Sequence, residues 1–139
     1  MKKNIVRFIT LFLIYGSLYS MIEILYRGYT HWMMYVLSAI CCVCIGRFNE
    51  NISWKFPFVL QCLCGGLLIT IGEFVVGMIC NVWLGMNIWD YSHMRWNLYG
   101  VICPQFSLIW CALSGVVIVV DDYLKYWFFN DDKPKYKLL

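Results

Sequence analysis

The sequence predicts an all-α membrane protein, a four-helix transmembrane bundle with its N- and C-termini in the cytoplasm. Three observations lead to this fold class: the composition, four long apolar runs, and the distribution of Lys and Arg between those runs. Of the 139 residues, 62% are hydrophobic and 14% are charged, and the mean hydropathy is +0.67. Soluble domains are about 45–50% apolar and about 25% charged, so a chain this short has no soluble core that would bury these residues.

The four apolar runs, in chain order, lie at about 5–26, 32–48, 56–83 and 98–120. A helix needs about 20 residues to cross about 30 Å of hydrocarbon, so the second run is short for a span and the third is long. We expect the third run to tilt or bend at its four glycines. The second run either extends at its ends or spans only in part. The transmembrane domain covers 1–130, with an interfacial outer loop at 84–97, and a short cytoplasmic tail follows at 131–139.

Lys and Arg concentrate on one side of the four runs. Nine of the eleven lie at the start of the first run, at the junction of the second and third, or after the fourth, and only Arg27 and Arg95 lie on the other side. Because cytoplasmic segments carry the excess of positive charge, this bias places both termini inside. The net charge of +3 follows from this topology, so we expect no nucleic-acid partner.

The eight cysteines lie inside the apolar runs or at their ends, where a thiol behaves as a small hydrophobe. The segment 41–44 contains a C-x-x-C spacing, but neither a second pair nor a neighbouring histidine supports a redox or metal site. A phosphate-binding G-x-x-x-x-G-K-[ST] loop is also missing from the sequence. We therefore expect no disulfide framework, no metal and no cofactor.

Two apolar runs carry a carboxylate within a stripe of small and polar residues at helical spacing. The stripes consist of Gly16, Ser20, Glu23 and Arg27 in the first run, and of Gly66, Thr70, Glu73 and Gly77 in the third. The fifty-residue offset between them hints at a parallel duplication of a helical hairpin. Charges in membrane spans are costly and face a bundle interior or a wet cavity, so both stripes are expected to face inward.

The two carboxylates are expected at the same depth. At about 1.5 Å per residue, Glu23 and Glu73 lie about 25 Å from the inner edge, in the outer third of the membrane. Gln105, on the descending fourth run, lies about 10 Å below an outer edge at Leu98. Pro104 before it frees a backbone carbonyl one turn earlier. The charged residues of the outer segments lie above this layer.

The segment NIWDYSHMRWNLYG (87–100) lies directly over that layer. Its Trp and Tyr side chains suit the membrane–water boundary. Asp90 stands two residues before Ser92, which favours a local side-chain-to-backbone turn, and Asn97 is suited to bond loop backbone groups. A generic interfacial loop explains the aromatic residues but does not require Asp90 and Arg95. We therefore expect these two to reach the charges on the first and third helices.

The same region carries a recognisable series of residues. The series is Glu73, Gly77, the block Trp89–Asp90–Tyr91–Ser92, Asn97, Gly100, Ile102 and Trp110. In it the chain resembles the CmpB-like, or putative ABC-transporter type IV, family of small bacterial integral membrane proteins, in particular its short members. The segments 22–35 and 47–50 extend the resemblance over most of 15–130. Longer members carry an N-R-G-x-L-x-G-P segment before the second helix, of which only Arg27–Gly28 is present here.

The resemblance implies a multi-pass protein of transporter or permease type in the bacterial cytoplasmic (plasma) membrane. An ATP-driven transporter needs an ATPase partner and a cytoplasmic surface that receives it. The inner loop of this chain, residues 46–55, is short. We therefore take the word permease as a family label rather than as a mechanism.

Three functions stay open. The first is a non-enzymatic transport or channel protein, surrounded by lipid, with an outward-facing polar site for a small solute or ion. Because four short helices enclose little space, it is expected to be a homo-oligomer or to bind a membrane partner subunit. The second is a non-catalytic subunit or assembly protein, in which Glu23 pairs with Arg27, and Asp90 with Arg95 or Arg27. The third is an intramembrane enzyme that acts on a lipid-borne substrate. The candidate polar cluster consists of Glu23, Arg27, His31, Glu73, Asp90, Tyr91, Arg95, Asn97 and Gln105.

Overall fold

The fold is that of a bundle of four long helices, seen in a computed structural model that describes residues 2–53 and 56–136. The elements are α1 (Lys2–Arg27), α2 (Trp32–Glu50), α3 (Phe58–Gly77), a π-helix that continues α3 (Met78–Trp83), and α4 (Pro104–Phe129). Each of the four, with the π-helix counted as part of α3, is long and apolar enough to cross a membrane. This confirms the predicted fold class of an all-α, four-helix membrane protein.

Two helical hairpins make up the bundle. α1 packs against α2, where the ring of Tyr35 lies directly on Gly16, and α3 packs against α4. α2 also contacts α3 and α4, whereas α1 and α4 leave a gap between them. The start of α1 and the end of α4 lie at the same end of the bundle, because Arg7 of α1 forms an ion pair with Asp131 at 2.7 Å. We call this the terminal end, and the opposite end, which carries residues 84–103, the loop end.

Glycines bring α3 and α4 into close contact. A Cβ atom on Gly66 would lie 2.7 Å from the backbone nitrogen of Cys111, and one on Gly65 would lie 2.6 Å from Cβ of Ser114. The Ser114 hydroxyl donates a hydrogen bond to the Cys62 carbonyl oxygen at 2.6 Å. Small residues permit such approach in membranes, where packing and interhelical hydrogen bonds drive helix association.

The second helix is longer than its apolar run. It begins after His31, whose Nδ1 accepts a hydrogen bond from the Met33 N–H at 3.2 Å and so caps the helix. It continues past the expected residue 48 to Glu50, and its 19 residues are sufficient for a span. The last two residues of α2 stay helical because the Glu50 carboxylate binds Lys125 of α4 at 2.7 Å.

The fourth helix starts later than the apolar run at 98–120 indicated. Its first residue is Pro104. The N–H of a first helical residue has no acceptor within the helix, so the N–H that proline lacks costs no hydrogen bond. Residues 98–102 instead form a tight turn, in which the Leu98 N–H donates to the Ile102 carbonyl oxygen at 2.9 Å. Gln105 therefore lies in the first turn of α4, and Pro104 frees no carbonyl inside a helix.

The fourth helix also ends later, at Phe129, because the charges after Val120 are held within the bundle. Asp121 and Lys125 are both buried. Asn130 then ends the helix in the left-handed conformation, with a φ of +56°. The aromatic residues of the last turns, among them Trp127 and Phe128, are exposed, as expected for a helix that leaves the membrane through the headgroup layer.

The outer surface of the bundle is apolar. Leu25, Leu67 and Leu108 are 81%, 61% and 70% exposed, and many more large aliphatic and aromatic side chains of the four helices are similarly open. Soluble monomers rarely expose contiguous apolar surface of this extent. The exposed faces of the helices therefore contact lipid.

The close contact between α3 and α4 predicts that Gly66→Ala destabilises the protein. Its new Cβ would meet the backbone of Cys111, which has no side-chain freedom to give way, so we expect a loss of about 1–3 kcal/mol. Thermal unfolding of the purified protein in detergent measures this. Gly72→Ala on the same helix is the control, because its Cβ meets only the Cys41 and Leu37 side-chain ends at 3.1 and 3.2 Å. Equal losses in the two variants would contradict close backbone packing at Gly66.

Candidate functional site

The block Trp89–Ser92 lies at the loop end outside any helix or strand, and the burial of its side chains alternates along the chain. Trp89 is buried, and its indole N–H donates to the Val101 carbonyl oxygen at 2.9 Å. Tyr91 is partly buried, whereas Asp90 and Ser92 are exposed. The aromatic residues of this block, rather than its acid, therefore reach into the bundle.

The side chain of Asn81 in the π-helix holds this block in place. Its amide donates to the Trp89 carbonyl oxygen at 2.8 Å, and its oxygen accepts from the Ile88 N–H at 2.8 Å. Gly77 lies beneath, and a Cβ atom there would come within 3.0 Å of both Val101 and the Trp89 ring. A loop fixed at these points brings Tyr91 over the end of α3.

Glu73 of α3 is the most deeply buried member of the predicted cluster, with 2% of its surface exposed. Its Oε2 accepts a hydrogen bond from the Trp110 indole N–H of α4 at 2.6 Å, and its Oε1 accepts one from the Tyr91 hydroxyl at 3.1 Å. Within the described part of the chain this carboxyl group has no ion-pair partner. Glu73 thus joins α3, α4 and the loop through neutral donors only.

Tyr91 stays a hydrogen-bond donor at neutral pH. Its ring stacks on Phe106 at 4.5 Å between centroids, which packs the side chain against α4. Burial, and next the neighbouring Glu73 carboxyl group, raise the pKa of the Tyr91 hydroxyl above its usual range. The hydroxyl therefore keeps its proton directed at Glu73.

Glu23 on α1 has a different environment, because a cation pairs with it. Arg27, one helical turn away, binds Oε1 at 2.8 Å, and the Thr30 hydroxyl donates to Oε2. Arg27 also donates to the Ile88 carbonyl oxygen at 3.1 Å and lies over the Tyr29 ring at 4.5 Å. This pair ties the end of α1 to the loop, and its charges balance.

Tyr19 lies near both carboxylates. Its hydroxyl donates to Glu23 Oε1 at 3.3 Å, and its side chain lines the same groove as Glu73. Glu23 and Glu73 thus share the loop end of the bundle, as their predicted depth implied. They do not bond to each other.

Asp90 and Arg95 do not reach those charges. Both oxygens of Asp90 accept hydrogen bonds from Ser92, from the backbone N–H and from the hydroxyl, each at 2.8 Å. These bonds, the backbone one first, lower the pKa of the Asp90 carboxyl group, which is exposed. Arg95 is exposed as well and lies over the Trp96 ring at 5.7 Å. The partners of Asp90 and Arg95 both lie within the loop, so these two charges face outward.

The remaining members of the predicted cluster have backbone partners. Asn97 donates to the Met94 carbonyl oxygen at 2.8 Å and accepts from the Gly100 N–H at 3.0 Å, which fixes the turn of the loop. Gln105 donates to the Arg95 carbonyl oxygen at 3.0 Å. His31 caps α2, as described above. These three side chains shape the loop end and lie outside the hydrogen-bond network of Glu73.

An apolar groove leads away from Glu73 through the gap between α1 and α4. It has a volume of about 140 Å³, and Glu73, Trp110 and Tyr19 lie at its loop end. Tyr15 and Val120 lie at the other end, and aliphatic residues of α1, α2 and α4 form most of the wall between. The groove opens toward the membrane, since Ile22 at its edge is 56% exposed. We call it the α1–α4 groove.

A second polar cluster, at the terminal end, was missed by the sequence reasoning. Lys125, 3% exposed, binds Asp121 at 2.5 Å and Glu50 at 2.7 Å, and Arg7 binds Glu50 at 2.7 Å. The Tyr15 hydroxyl donates to Asp121, whose carboxylate packs on Gly46 so closely that a Cβ there would clash. These ion pairs join α1, α2 and α4 at one end.

One signal in the sequence points to this cluster. Asp121 and Lys125 are four residues apart and directly follow an apolar run, so they fall on one face of the helix if that helix continues. The predicted run ends at 120, so the sequence leaves both charges outside the membrane span. Glu50 falls in the predicted inner loop, 46–55, and its approach to α4 follows only from the tertiary packing.

Comparison with known proteins gives a family match. A family model described as “Putative ABC-transporter type IV” matches residues 6–135. No curated protein and no solved structure matches the chain.

The two donors to Glu73 predict an energetic coupling. Tyr91→Phe leaves a buried carboxyl oxygen without its donor, so we expect a loss of about 1–3 kcal/mol of unfolding free energy. In a Glu73→Gln background the same change should cost less, giving a coupling energy of about 0.5–3 kcal/mol. Denaturant unfolding of the four proteins measures the cycle. Tyr99→Phe, at an exposed position, should show no coupling. Additive losses for Tyr91 and Glu73 would refute the contact.

Proposed function

The chain belongs to the family described as putative ABC-transporter type IV, and from this premise we propose that it is a non-enzymatic transport component with a ligand site at Glu73. The observation that carries the proposal is the environment of that carboxyl group. It is buried, it has only neutral donors, and it lies at the end of the α1–α4 groove. Ionisable groups placed so in membrane spans commonly mark pathways for substrates or ions.

Other buried charges of the bundle form ion pairs, and this difference supports the assignment of the site to Glu73. Glu23 pairs with Arg27, and Asp121 pairs with Lys125, each across one helical turn. Such closed pairs favour a structural role, which is the second candidate function: a non-catalytic subunit held together by its buried charges. Glu73 differs, because the residue one turn after it is Gly77 and supplies no cation. The fourth buried carboxylate, Asp122, also has neutral donors, the Asn49 amide and the Tyr136 hydroxyl, but it lies at the terminal end and does not line the α1–α4 groove. The transport proposal therefore concerns Glu73 and the groove, while the paired clusters stabilise the bundle.

The surroundings of the protein belong to the proposal as well. We place it in the bacterial cytoplasmic membrane with both termini inside, on the basis of the Lys and Arg bias. We also propose a homo-oligomer or a complex with a membrane partner subunit, because the gap between α1 and α4 leaves the bundle open on one side. Partners that bring an ATPase would bind at the terminal end.

The orientation predicts the behaviour of reporter fusions. A fluorescent protein that folds only in the cytoplasm should be bright when fused after residue 139. Alkaline phosphatase, which is active only outside, should be active when inserted at Ser92 and inactive at the C-terminus. The physical reason is retention of the Lys- and Arg-rich segments on the inner side. Activity in the reversed pattern would overturn the proposed topology.

The transport role predicts that Glu73→Gln abolishes function without loss of the protein. We expect cells that express the wild-type chain to accumulate or lose at least one solute in a labelled panel of inorganic ions, amino acids and organic cations. Cells with Glu73→Gln should match the empty vector. The amide keeps the shape of the side chain: its oxygen can accept from Trp110 and its NH2 group can donate to the Tyr91 hydroxyl, so expression should persist.

Asp132→Asn serves as the charge-matched control for this experiment, because it neutralises an exposed carboxylate of the tail. It should leave solute levels at the wild-type value. If no solute in the panel responds to the wild-type protein, the transport proposal fails. If Glu73→Gln prevents the protein from accumulating in the membrane, the carboxyl group is structural and the second candidate function is favoured.

A further inference from the structure

We propose that the α1–α4 groove binds an amphipathic monocation, with its positive head at Glu73 and its hydrocarbon chain along α4. This inference rests on the proposed function, since it names the class of ligand for the same site. Four features of the groove carry it: its shape, its lining, the charge at its loop end, and its opening to the membrane.

The length of the groove matches one extended hydrocarbon chain, and because its volume is only about 140 Å³, the outer side of such a chain would stay in contact with lipid. Along α4 it extends from Trp110 to Val120, ten residues of helix, which corresponds to about 15 Å. Met34 and Leu37 of α2 form its floor, and Leu18 and Ile22 of α1 face them across the gap. A chain of about ten to twelve methylene groups has a comparable length, since each carbon adds about as much length as a residue of helix.

The lining of the groove selects an apolar body. Its hydroxyl groups already donate to the protein: Tyr15 to Asp121, Tyr19 to Glu23, and Ser38 to the Tyr35 carbonyl oxygen. The rest of the wall consists of aliphatic, sulfur-containing and aromatic side chains. A polar ligand body placed there would lose its hydrogen bonds to water without replacement, which opposes its binding. A hydrocarbon chain loses none.

The charge at the loop end of the groove selects a positive head. One buried carboxylate lies near each end of the groove. Glu73 lines the loop end itself, and Asp121 accepts a hydrogen bond from Tyr15, which lines the other end. Lys125 already neutralises Asp121, whereas Glu73 has no cation among the described residues. A carboxylate has about four lone-pair sites, and Glu73 uses two of them, for Tyr91 and Trp110. The site therefore retains both the charge and the capacity to receive a cation.

Aromatic rings at the same end add to the attraction. Trp110 and Tyr19 line the groove beside Glu73. Faces of Trp and Tyr attract organic cations, and quaternary ammonium groups are commonly recognised in this way. An alkylammonium head meets both a carboxylate and aromatic rings here. An inorganic ion would meet too few oxygen ligands, since cations such as Ca²⁺ take about 6–8 of them.

The position of the groove fits entry from the lipid. Its edge residues Leu18, Ile22 and Val116 are exposed on the surface that contacts the membrane. Glu73 lies at the loop end, close to the interface, and the chain of the ligand would point toward the middle of the bilayer. An amphiphile in a leaflet already has this orientation, so it can move sideways into the groove without turning over.

The test uses dodecyltrimethylammonium as the probe and the full-length protein in phosphatidylcholine nanodiscs. Equilibrium binding of the labelled probe is measured below its micelle concentration, and binding to empty nanodiscs is subtracted. Dodecyl sulfate, with the same chain and the opposite charge, is the matched ligand control. We expect saturable binding of the cation, about one per chain, and no saturable binding of the anion. Equal binding of both probes, or none of either, would overturn the proposal.

Two pairs of variants locate the site. Glu73→Gln should weaken binding of the cation at least about tenfold, while Asp132→Asn should leave it within about twofold. Val117→Trp fills the groove and should also abolish binding, whereas Leu108→Trp, on the lipid-facing surface of the same helix, should not. The second pair keeps the test decisive if Glu73→Gln does not fold. Undiminished binding in both Glu73→Gln and Val117→Trp would place the probe elsewhere and refute the site.

The outcomes also separate this inference from the transport role. If the probe does not bind but Glu73→Gln still abolishes solute accumulation in cells, the ligand class is wrong and the transport role stands. If the probe binds at Glu73 but no solute in the panel responds to the protein, the groove is a cation site without transport.

Discussion

The buried carboxyl group of Glu73 is the contact on which the loop end depends. It receives one hydrogen bond from α4, through Trp110, and one from the loop, through Tyr91. In hydrocarbon a polar group without partners costs several kcal/mol, so each element that approaches Glu73 must supply a donor. This requirement fixes the inward direction of Tyr91, and with it the alternation by which Trp89 is buried and Asp90 faces outward.

The same requirement is met differently at the terminal end. There Lys125 and Arg7 surround Glu50 and Asp121, and the packing of Asp121 on Gly46 brings α2 and α4 together. Buried pairs of this kind contribute little net stability against an apolar alternative, but the loss of one partner is costly. The terminal end is thus fixed by a network of ion pairs, whereas the loop end combines the Glu23–Arg27 pair with the neutral donors around Glu73. Between them, α1 contacts mainly α2, which leaves the groove open.

The sequence was sufficient for the fold class, because apolar runs of about 20 residues have few alternatives to membrane spans. It was also sufficient to predict that Glu73 and Glu23 face the interior of the bundle, since charges inside such runs are rare and costly. It was less reliable wherever tertiary contacts decide. α4 begins at Pro104 because the preceding turn is held by Leu98 and Ile102, and it continues past Val120 because Lys125 has partners on other helices. The charge of Asp90 predicts that it reaches the interior charges, whereas the burial of the block shows that Tyr91 is the residue that reaches inward, to Glu73.

Three of the four carboxylates that are buried among the described residues differ in the residue one helical turn after them, and that difference bears on the asymmetry of the bundle. One helical turn after Glu23 is Arg27, and one turn after Asp121 is Lys125, so each acid meets a cation on its own helix. One turn after Glu73 is Gly77, and the space that a cationic side chain would need is occupied by Val101 and Trp89. The loop can therefore pack on α3 only because that position is small, and the same packing excludes an internal counter-ion. Glu73 also lines the groove, and the opening of the groove toward the lipid is the side from which the proposed positive ligand would approach.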